Sequence, residues 1–390
     1  MAKLGAEIRH YFAISGVLNF GIAVPQAILT PILLSKGLDF QKILIVQLVY
    51  MAVVSVLELP SGIMADRYSR KLMYLSGCAF VAIGYSVVLF EHGLVWMTVA
   101  WVLYATGQAA MSSTMDVHFL AQVRSDDELL KKYYSMERSI PLVTVILATV
   151  TSTGLYGLLG SRVYGISLVM FAASLVWGLW VLPSRSHGNQ VEASAPTMNS
   201  IIKQITIVYH DRDLARLALV FCVAQLALMP FFQLWQMIFV GLNVPVVFFG
   251  AFFIYSQLVN IACNALIPRL KESRSRWTVL LLVLVALGVL VYFLSGTAAI
   301  ICIVVSPAAL FFVMGQIELG LQKRIPEEVL SGSMSAIGAL NSAVSIVAIL
   351  ACIVAVNYMA PDALFAVLLV CACLGMIALV MRSGGRQVIE

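Results

Sequence analysis

Charged residues are scarce in this chain of 390 residues: they make up 11% of it, whereas 61% of the residues are hydrophobic. A soluble domain carries about 25% charged residues, so we expect lipid to cover most of this protein's surface. The seven cysteines are an odd number, and no Cys-x-x-Cys pair occurs. This argues against a disulfide framework and a zinc site, and nothing in the sequence indicates a cofactor.

Long apolar runs fill almost the whole chain, and a spanning helix needs roughly 20 such residues. We predict twelve spans, near residues 9–34, 40–65, 71–91, 94–123, 133–160, 163–183, 214–241, 245–268, 277–295, 298–322, 332–358 and 361–381. The longest gap divides them into an N-terminal six-helix bundle (1–183), a cytoplasmic linker with an interfacial helix (184–213) and a C-terminal six-helix bundle (214–390). The alternative for the linker's second half is an early start of span seven. The predicted fold class is all-α and membrane-embedded.

Basic residues are concentrated in every second gap between the spans. If both termini are cytoplasmic, all of the 24 lysines and arginines except Lys36, Lys42 and Arg162 lie on the cytoplasmic side. The positive-inside rule therefore predicts a multi-pass protein of a bacterial inner membrane with both termini in the cytoplasm. The net charge of +5 reflects this orientation, so nucleic acid is not an expected partner.

The two halves of the chain echo each other. Span two ends in a basic turn from Gly62 to Lys71, and span eight ends in a weaker basic segment after Pro268. Asp116 in span four and Glu318 in span ten hold matching positions. Two pseudo-symmetric six-span halves are typical of transporters, whose substrate site lies between the halves near the middle of the membrane.

The turn after span two carries a family resemblance. It reads Gly62-Ile-Met-Ala-Asp66-Arg67-Tyr-Ser69-Arg70-Lys71 and resembles the signature Gly-x-x-x-Asp-Arg-x-Gly-Arg-Lys of the major facilitator superfamily. Ser69 stands where that family usually has glycine, so we expect a slightly strained or differently shaped turn. The resemblance implies a twelve-helix secondary transporter that works by alternating access, usually as a monomer.

Three further segments resemble a bacterial branch of that family that is rich in proteins assigned as drug exporters. They are Glu58-Leu-Pro60-Ser61-Gly62, the run from Pro230 to Gln236, and the run from Lys323 to Glu328. Two family motifs are missing: an arginine in span four and the Gly-Pro-x-x-Gly-Gly motif of many antiporters in span five. Their absence weakens the case for proton antiport specifically.

Carboxylates inside the spans are the candidates for proton coupling. A charge at mid-bilayer costs at least ~2.5–3.5 kcal/mol on insertion scales, so Asp116, Glu58 and Glu318 each suggest a function. Such a group can bind a proton in one conformation and release it in the other, and Asp116 is the leading candidate. The alternative is that they only support a cytoplasmic gate, formed by Gly62, Asp66, Arg67, Arg70, Lys71 and Arg138.

Helical spacing suggests which side chains line a substrate cavity, because spans one, four, seven and ten do so in facilitator folds. The candidates are Asn19 and Gln26 in span one, Gln108, Ser112 and Met115 in span four, Gln225, Met229, Phe232, Trp235 and Gln236 in span seven, and Phe311 and Met314 in span ten. This mixture of amide, thioether and aromatic groups suits varied amphipathic ligands. The alternative is that these residues only pack and hydrogen-bond between helices.

The sequence therefore predicts proton-coupled efflux of amphipathic small molecules such as drugs. The alternative is a dedicated carrier for one metabolite, siderophore or nutrient, by symport or uniport. A membrane-embedded enzyme is disfavoured because no His-Glu-x-x-His motif, serine triad candidate or phosphate-binding glycine loop occurs. A channel is disfavoured because polar residues inside the spans are sparse.

Overall fold

The computed structural model describes residues 5–67, 69–112, 114–123, 126–183, 212–269, 274–293, 297–325 and 330–381. Every regular element in these ranges is a helix. The prediction of an all-α fold is therefore confirmed.

Fourteen α-helices account for most of the described residues. They are α1 (Ala6–Ala23), α2 (Leu29–Ser35), α3 (Phe40–Arg67), α4 (Arg70–Phe90), α5 (Leu94–Met111), α6 (Thr114–Val123), α7 (Asp127–Leu159), α8 (Tyr164–Val181), α9 (Arg212–Gly241), α10 (Val246–Leu266), α11 (Arg274–Phe293), α12 (Thr297–Arg324), α13 (Leu330–Ala355) and α14 (Pro361–Met381).

Many of these helices suit a lipid environment. Ten helical stretches of the described chain are long and apolar enough to cross a membrane, and Thr278–Phe293 is a shorter apolar helix. One of the ten, Asp127–Val181, contains both α7 and α8. Large apolar side chains such as Leu158, Trp180 and Phe293 are almost fully exposed, which in water would form a sticky surface. The chain is a multi-pass membrane protein, and the count of twelve spans stays a prediction.

The chain divides into two compact units. The first contains α1 to α8 together with Pro245–Ile254, and the second contains α9 up to Val244 and the chain from Tyr255 onward. The predicted linker and its interfacial helix lie almost entirely outside the described residues, so the predicted boundaries at 183 and 213 stay predictions.

Each unit is held together by helix packing. In the first unit, α1 packs against α7 and α8, and α5 packs against α3 and α4; in the second, α9 packs against α12, α13 and α14. Helices α4 and α5 come into backbone contact, because a Cβ added to Gly107 would lie 2.5 Å from the carbonyl oxygen of Gly77. Small residues permit such close approach in membrane helices.

Span one is not a continuous helix. Pro25 has no N–H to donate to the preceding turn, and α1 ends at Ala23. A 3₁₀ turn, Gln26–Ile28, follows, and α2 then begins at Leu29. The carbonyl oxygen of Ile22 accepts a hydrogen bond from the Tyr85 hydroxyl at 3.0 Å. A side chain therefore satisfies a backbone group at the break.

The turn between α3 and α4 differs from the expectation. Ser69 has φ −165° and ψ 124°, which is extended backbone that any residue adopts. Its hydroxyl accepts a hydrogen bond from the Leu72 N–H at 3.3 Å, as an N-cap does. The structure contradicts strain at Ser69, because serine caps α4 in extended backbone that does not need glycine. The other expectation, a differently shaped turn, stays a prediction.

Two lysines of the first unit donate to backbone carbonyls. Lys71 Nζ donates to the carbonyl oxygens of Leu179 at 2.8 Å and Leu182 at 2.7 Å. These carbonyls belong to the last turn of α8, where a cation also opposes the negative end of the helix dipole. The last residue of the signature turn therefore fastens α4 to α8.

Lys36 performs a similar task at the opposite end of the first unit. Its Nζ donates to the Leu89 carbonyl oxygen at 2.9 Å, and its own carbonyl oxygen accepts from the Gly93 N–H at 2.9 Å. Burial lowers the pKa of Lys36, while the nearby Glu91 carboxylate opposes that shift. Lys36 is one of the three basic residues that depart from the predicted charge asymmetry, and its hydrogen bonds give it a structural role. We refer to the two ends of this unit as the Lys36 end and the Asp116 end.

Lys71→Met should destabilise the protein because the last carbonyls of α8 lose a charged donor. Hydrogen bonds to charged groups contribute about 1.5–3 kcal/mol, so we expect the melting temperature in detergent to fall by about 2–5 °C. The control is Lys131→Met, which removes an exposed cation of α7. Equal melting temperatures for Lys71→Met and the control would contradict the capping role.

Candidate functional site

Span four breaks near its middle, and the break positions Asp116. Helix α5 ends at Met111, and Ser112 has φ −55° and ψ 124°, a conformation that cannot continue a helix. Asp116 lies in the first turn of α6. A carboxylate there interacts favourably with the positive end of the helix dipole.

Two tyrosines from other helices bind Asp116. The Tyr11 hydroxyl of α1 donates to Oδ1 at 2.5 Å. The Tyr133 hydroxyl of α7 lies 3.4 Å from the same oxygen and 3.3 Å from the Asp116 carbonyl oxygen. Asp116 therefore joins α1, α6 and α7, and the bond from Tyr11 is the stronger link because it is much the shorter of the two.

An aromatic group encloses this carboxylate. The rings of Tyr11 and Phe119 lie 4.8 Å apart, those of Tyr11 and Tyr74 lie 6.2 Å apart, and Phe12 lies 5.0 Å from Tyr133. Tyr11, Phe119 and Tyr133 are nearly fully buried, whereas Asp116 keeps partial exposure. The carboxylate is thus set in a mainly apolar surround but remains accessible from one side.

Glu137 and Arg138 complete the charged surroundings. The Glu137 carboxylate of α7 interacts unfavourably with Asp116 and favourably with Arg138. Arg138 itself is exposed. At the Asp116 end of the first unit, the Glu137 carboxylate therefore interacts with both Asp116 and Arg138.

The other predicted charged residues fall in different places. For Glu58, Gly62, Asp66 and Arg67 only the backbone is described, as the last part of α3, so their predicted gate contacts lie outside the described structure. Arg70 begins α4, and Lys71 binds the end of α8. Glu318 is an exposed residue of α12 in the second unit, where it accepts a hydrogen bond from Gln322 at 3.3 Å.

The cavity candidates of the first unit do not share one environment. Asn19 donates to Ser15 one turn earlier at 3.2 Å, and Gln26 lies in the 3₁₀ turn. Gln108 is partly exposed, Ser112 is exposed at the break, and Met115 is buried. Because the helix breaks at Ser112, the single face predicted for span four does not continue to Met115.

In the second unit, the candidates divide into buried and exposed groups. Gln225 donates to the Ser345 hydroxyl of α13 at 3.1 Å, and Trp235 and Gln236 are buried. Phe232 is exposed and lies 5.9 Å from the Phe311 ring of α12. Two methionines, Met229 and Met314, are half-buried. Gln225 thus matches the alternative of a hydrogen bond between helices, whereas the cavity role of Phe232 stays a prediction.

The first unit also contains an open cleft of about 590 Å³ between α1, α7 and α8. Its lining is almost wholly apolar, with aromatic, aliphatic and thioether groups and a single cation. The lining residues are Arg9, Phe12, Ala13, Gly16, Val17, Phe20, Met136, Ile140, Thr144 and Met170. Its volume lies in the range of small-molecule sites, and Arg9 lies at the Asp116 end of α1.

Sequence reasoning missed the tyrosines that bind Asp116, although a signal was present. Tyr11 precedes Ser15 and Asn19 at intervals of four residues, so extending that polar stripe by one turn would have included it. Nothing comparable pointed to Tyr133. Among the described residues, no group of three or more His, Cys, Asp or Glu side chains could hold a metal ion.

Comparison with known proteins decides the family. The family model described as Major Facilitator Superfamily matches residues 11–352. The chain belongs to the major facilitator superfamily. This confirms the family named from the signature turn, and it makes the chain a membrane transporter by family.

Individual relatives of this facilitator are distant. The MFS-type transporter YxaM of Bacillus subtilis (strain 168) is 22% identical over 209 residues, which cover 52% of this chain and 51% of YxaM. The chain thus matches about half the length of that curated relative.

Solved structures share the fold over nearly the whole chain. The nucleoside transporter NupG superposes with a TM-score of 0.73 at 11% identity, covering 97% of this chain and 98% of NupG. A bacterial homologue of the iron transporter ferroportin gives 0.75 at 14% identity, covering 99% and 100%. The POT family transporter PepTSo gives 0.71 at 14% identity, covering 98% and 99%. At these identities the likeness shows the facilitator fold.

Tyr11 and Asp116 should be energetically coupled in this facilitator. In a double-mutant cycle of Tyr11→Phe and Asp116→Asn, we expect a coupling energy of about 1–3 kcal/mol. Either substitution alone already breaks the hydrogen bond, so the loss in the double mutant is smaller than the sum of the two single losses. Unfolding free energy in detergent is the measurement.

The control cycle pairs Tyr134→Phe with Asp116→Asn, because Tyr134 is exposed on the same helix as Tyr133. It should show coupling near zero. A coupling energy near zero in the Tyr11 cycle as well would show that the hydrogen bond does not stabilise the folded state.

Proposed function

We propose that this facilitator exports amphipathic small molecules in exchange for protons, by alternating access across a bacterial inner membrane, as a monomer with both termini in the cytoplasm. The observation that carries the proposal is Asp116, a carboxylate bonded by Tyr11 and Tyr133 inside a mostly apolar unit. Sparse charge elsewhere in the described spans makes this group the best candidate for the coupling proton.

The proton would act through the bond between α1 and α6. When Asp116 is ionised, the Tyr11 hydroxyl makes a charge-assisted hydrogen bond, which is roughly twice as strong as a neutral one. When Asp116 binds a proton, that advantage is lost, and α1 is held less firmly against α6 and α7. Protonation would therefore favour the conformation in which these helices separate.

The amphipathic substrate class is supported by the cleft beside α1. Aromatic and thioether side chains such as Phe12, Phe20, Met136 and Met170 line it, and flexible, polarizable groups accommodate ligands of differing shape. Arg9 at one end would favour a substrate whose polar group is neutral or anionic there. Drug-like amphiphiles fit this description.

The signature turn would serve as the cytoplasmic gate. Its two described basic residues lie at the start of α4, where Lys71 is already engaged with the end of α8. Arg138 lies exposed on α7 and interacts with the neighbouring Glu137 carboxylate, which also interacts with Asp116. Changes at the proton site would thereby reach the gate through α7.

A dedicated carrier for one metabolite or nutrient, by symport or uniport, is the second candidate. Facilitators of this fold include proteins described as nucleoside, peptide and iron transporters, so the fold accommodates dedicated substrates.

Inside-out vesicles energised by respiration test the proposal. Lipophilic cations and neutral drugs are added singly, and proton release from the vesicle lumen is recorded by fluorescence. We expect several unrelated compounds to release protons in the wild type and in Asp127→Asn, which removes an exposed carboxylate of α7. Asp116→Asn should abolish the release, because an amide cannot carry the proton.

Two results would count against this account. Release that persists in Asp116→Asn would remove Asp116 as the coupling site. Silence of folded wild-type protein across the whole panel would favour the dedicated carrier.

A further inference from the structure

The cleft between α1, α7 and α8 extends inward from the Asp116 end of the first unit. Arg9 lies at one extreme of its lining on α1, and Phe20 lies eleven residues further along the same helix. At 1.5 Å per residue, the cleft is about 16 Å long. One leaflet supplies half of the roughly 30 Å hydrocarbon thickness of a bilayer. The cleft is therefore about as long as one leaflet is deep.

Aromatic side chains indicate where this end of the unit meets the membrane surface. Trp180 of α8 is 86% exposed, and the indole ring of Trp177 meets the His10 imidazole edge to face at 6.0 Å. Tryptophan is enriched at the level of the lipid headgroups. Because His10 directly follows Arg9 on α1, Arg9 also lies at headgroup level. The rest of the cleft then lies at the depth of the acyl chains.

The Arg9 guanidinium is available to an anion. The residue is exposed, and within the described part of the chain no hydrogen bond or ion pair joins its side chain to another residue. Glu7 precedes it by two residues, and side chains at that spacing do not face each other on a helix. A guanidinium presents a planar fork of N–H donors that matches the oxygens of an anionic group. Arg9 can therefore bind an anionic headgroup at the membrane surface.

The wall beyond Arg9 offers its contacts to a hydrocarbon chain. Thr144 is the one other polar side chain in the lining, and its hydroxyl donates to carbonyl oxygens of its own helix. The aromatic and thioether surface comes from Phe12, Phe20, Met136 and Met170. The volume of about 590 Å³ lies in the range of a single drug-sized ligand. This suits one hydrocarbon chain rather than the two chains of a membrane phospholipid.

The cleft also adjoins the candidate proton site. The Phe12 ring, which lines the cleft, lies 5.0 Å from the Tyr133 ring. The Tyr133 hydroxyl lies 3.4 Å from Oδ1 of Asp116. A ligand that displaces Phe12 would therefore act on a side chain packed against a partner of the carboxylate.

We infer that this cleft binds a single-chain amphiphile with an anionic headgroup, whose head bonds Arg9 and whose chain extends along α1 toward Phe20. The inference rests on the proposed transport function and specifies the substrate class. Among amphiphiles of equal chain length, the anion binds most tightly, because Arg9 attracts it. The neutral compound binds through its chain alone, and the cation is repelled.

Binding to purified protein in phosphatidylcholine nanodiscs tests the inference without any proton gradient. Tritiated dodecanesulfonate is the anionic probe, counted by scintillation proximity with empty nanodiscs as the baseline. Dodecanol and dodecyltrimethylammonium, which carry the same chain on a neutral and a cationic head, compete with it. We expect wild-type protein to bind the anion about tenfold more tightly than the cation.

Arg9→Gln should raise the Kd for dodecanesulfonate about 3- to 10-fold, because the headgroup loses a charged hydrogen-bond partner at an accessible position. The inhibition constant of dodecanol should change less than about twofold, since its head carries no charge. Arg9→Lys keeps the cation and should stay within about threefold of the wild type. The matched control is Arg162→Gln, which removes an exposed cation at the Lys36 end of the same unit.

A second pair of variants tests the chain's position. Val17→Trp places an indole in the middle of the cleft and should weaken all three probes more than about tenfold, because it occupies the space of the chain. The control is Val150→Trp, the same change at an exposed valine of α7 outside the lining. Melting temperatures confirm that each variant is folded. If Arg9→Gln fails to fold, the preference of the wild type for anion over cation remains as a test.

Several outcomes would overturn the inference: no saturable binding above empty nanodiscs, an unchanged Kd in folded Arg9→Gln, or equal affinity for anion and cation. A further one comes from nanodiscs of anionic phosphatidylglycerol. If the difference between wild type and Arg9→Gln disappears there, Arg9 holds a membrane phospholipid instead.

The vesicle experiment is independent of these measurements. If proton release through Asp116 is observed while dodecanesulfonate binding ignores Arg9, the ligand class is wrong and the transport proposal survives. If binding depends on Arg9 but Asp116→Asn retains proton release, the ligand class stands and the coupling proposal fails.

Discussion

The absence of water in the bilayer core governs this structure, because every backbone N–H and C=O there needs a partner within the protein. Long helices meet this demand along most of the chain. Where span one breaks at Pro25, the Tyr85 hydroxyl binds the Ile22 carbonyl oxygen. Where α8 ends, the Lys71 ammonium takes the carbonyls that no helical N–H can reach. Side chains therefore bind backbone groups at these interruptions, and Asp116 lies beside the break in span four.

Because ionisable groups are costly where water is absent, few of them lie inside the spans. Asp116 is bonded by two phenols and lies near Glu137, so a proton at that point alters contacts among α1, α6 and α7 together. A charge in such a setting interacts more strongly than it would in water. The apolar cleft is lined by residues of α1, α7 and α8. Proton binding and substrate binding would thus share span one, which gives a physical route for coupling the two.

Family membership and the apolar helices support a transporter, while the substrate depends on details that the fold does not fix. The cleft beside α1 is almost wholly apolar and has a single arginine. The amphipathic-exporter and dedicated-carrier proposals therefore differ mainly in how many different ligands this cleft would accept.

The sequence by itself determined the helical class, most span positions and the family, because apolar run length and the signature turn are local properties of the chain. It also made Asp116 a candidate, since polar groups inside apolar runs stand out. Only the tertiary structure decided their partners: Tyr11 and Asp116 lie 105 positions apart, and no periodicity along one helix reveals a contact between helices. It also decided that Ser69 caps α4 and that span four breaks at Ser112, because backbone torsions there depend on how neighbouring helices pack.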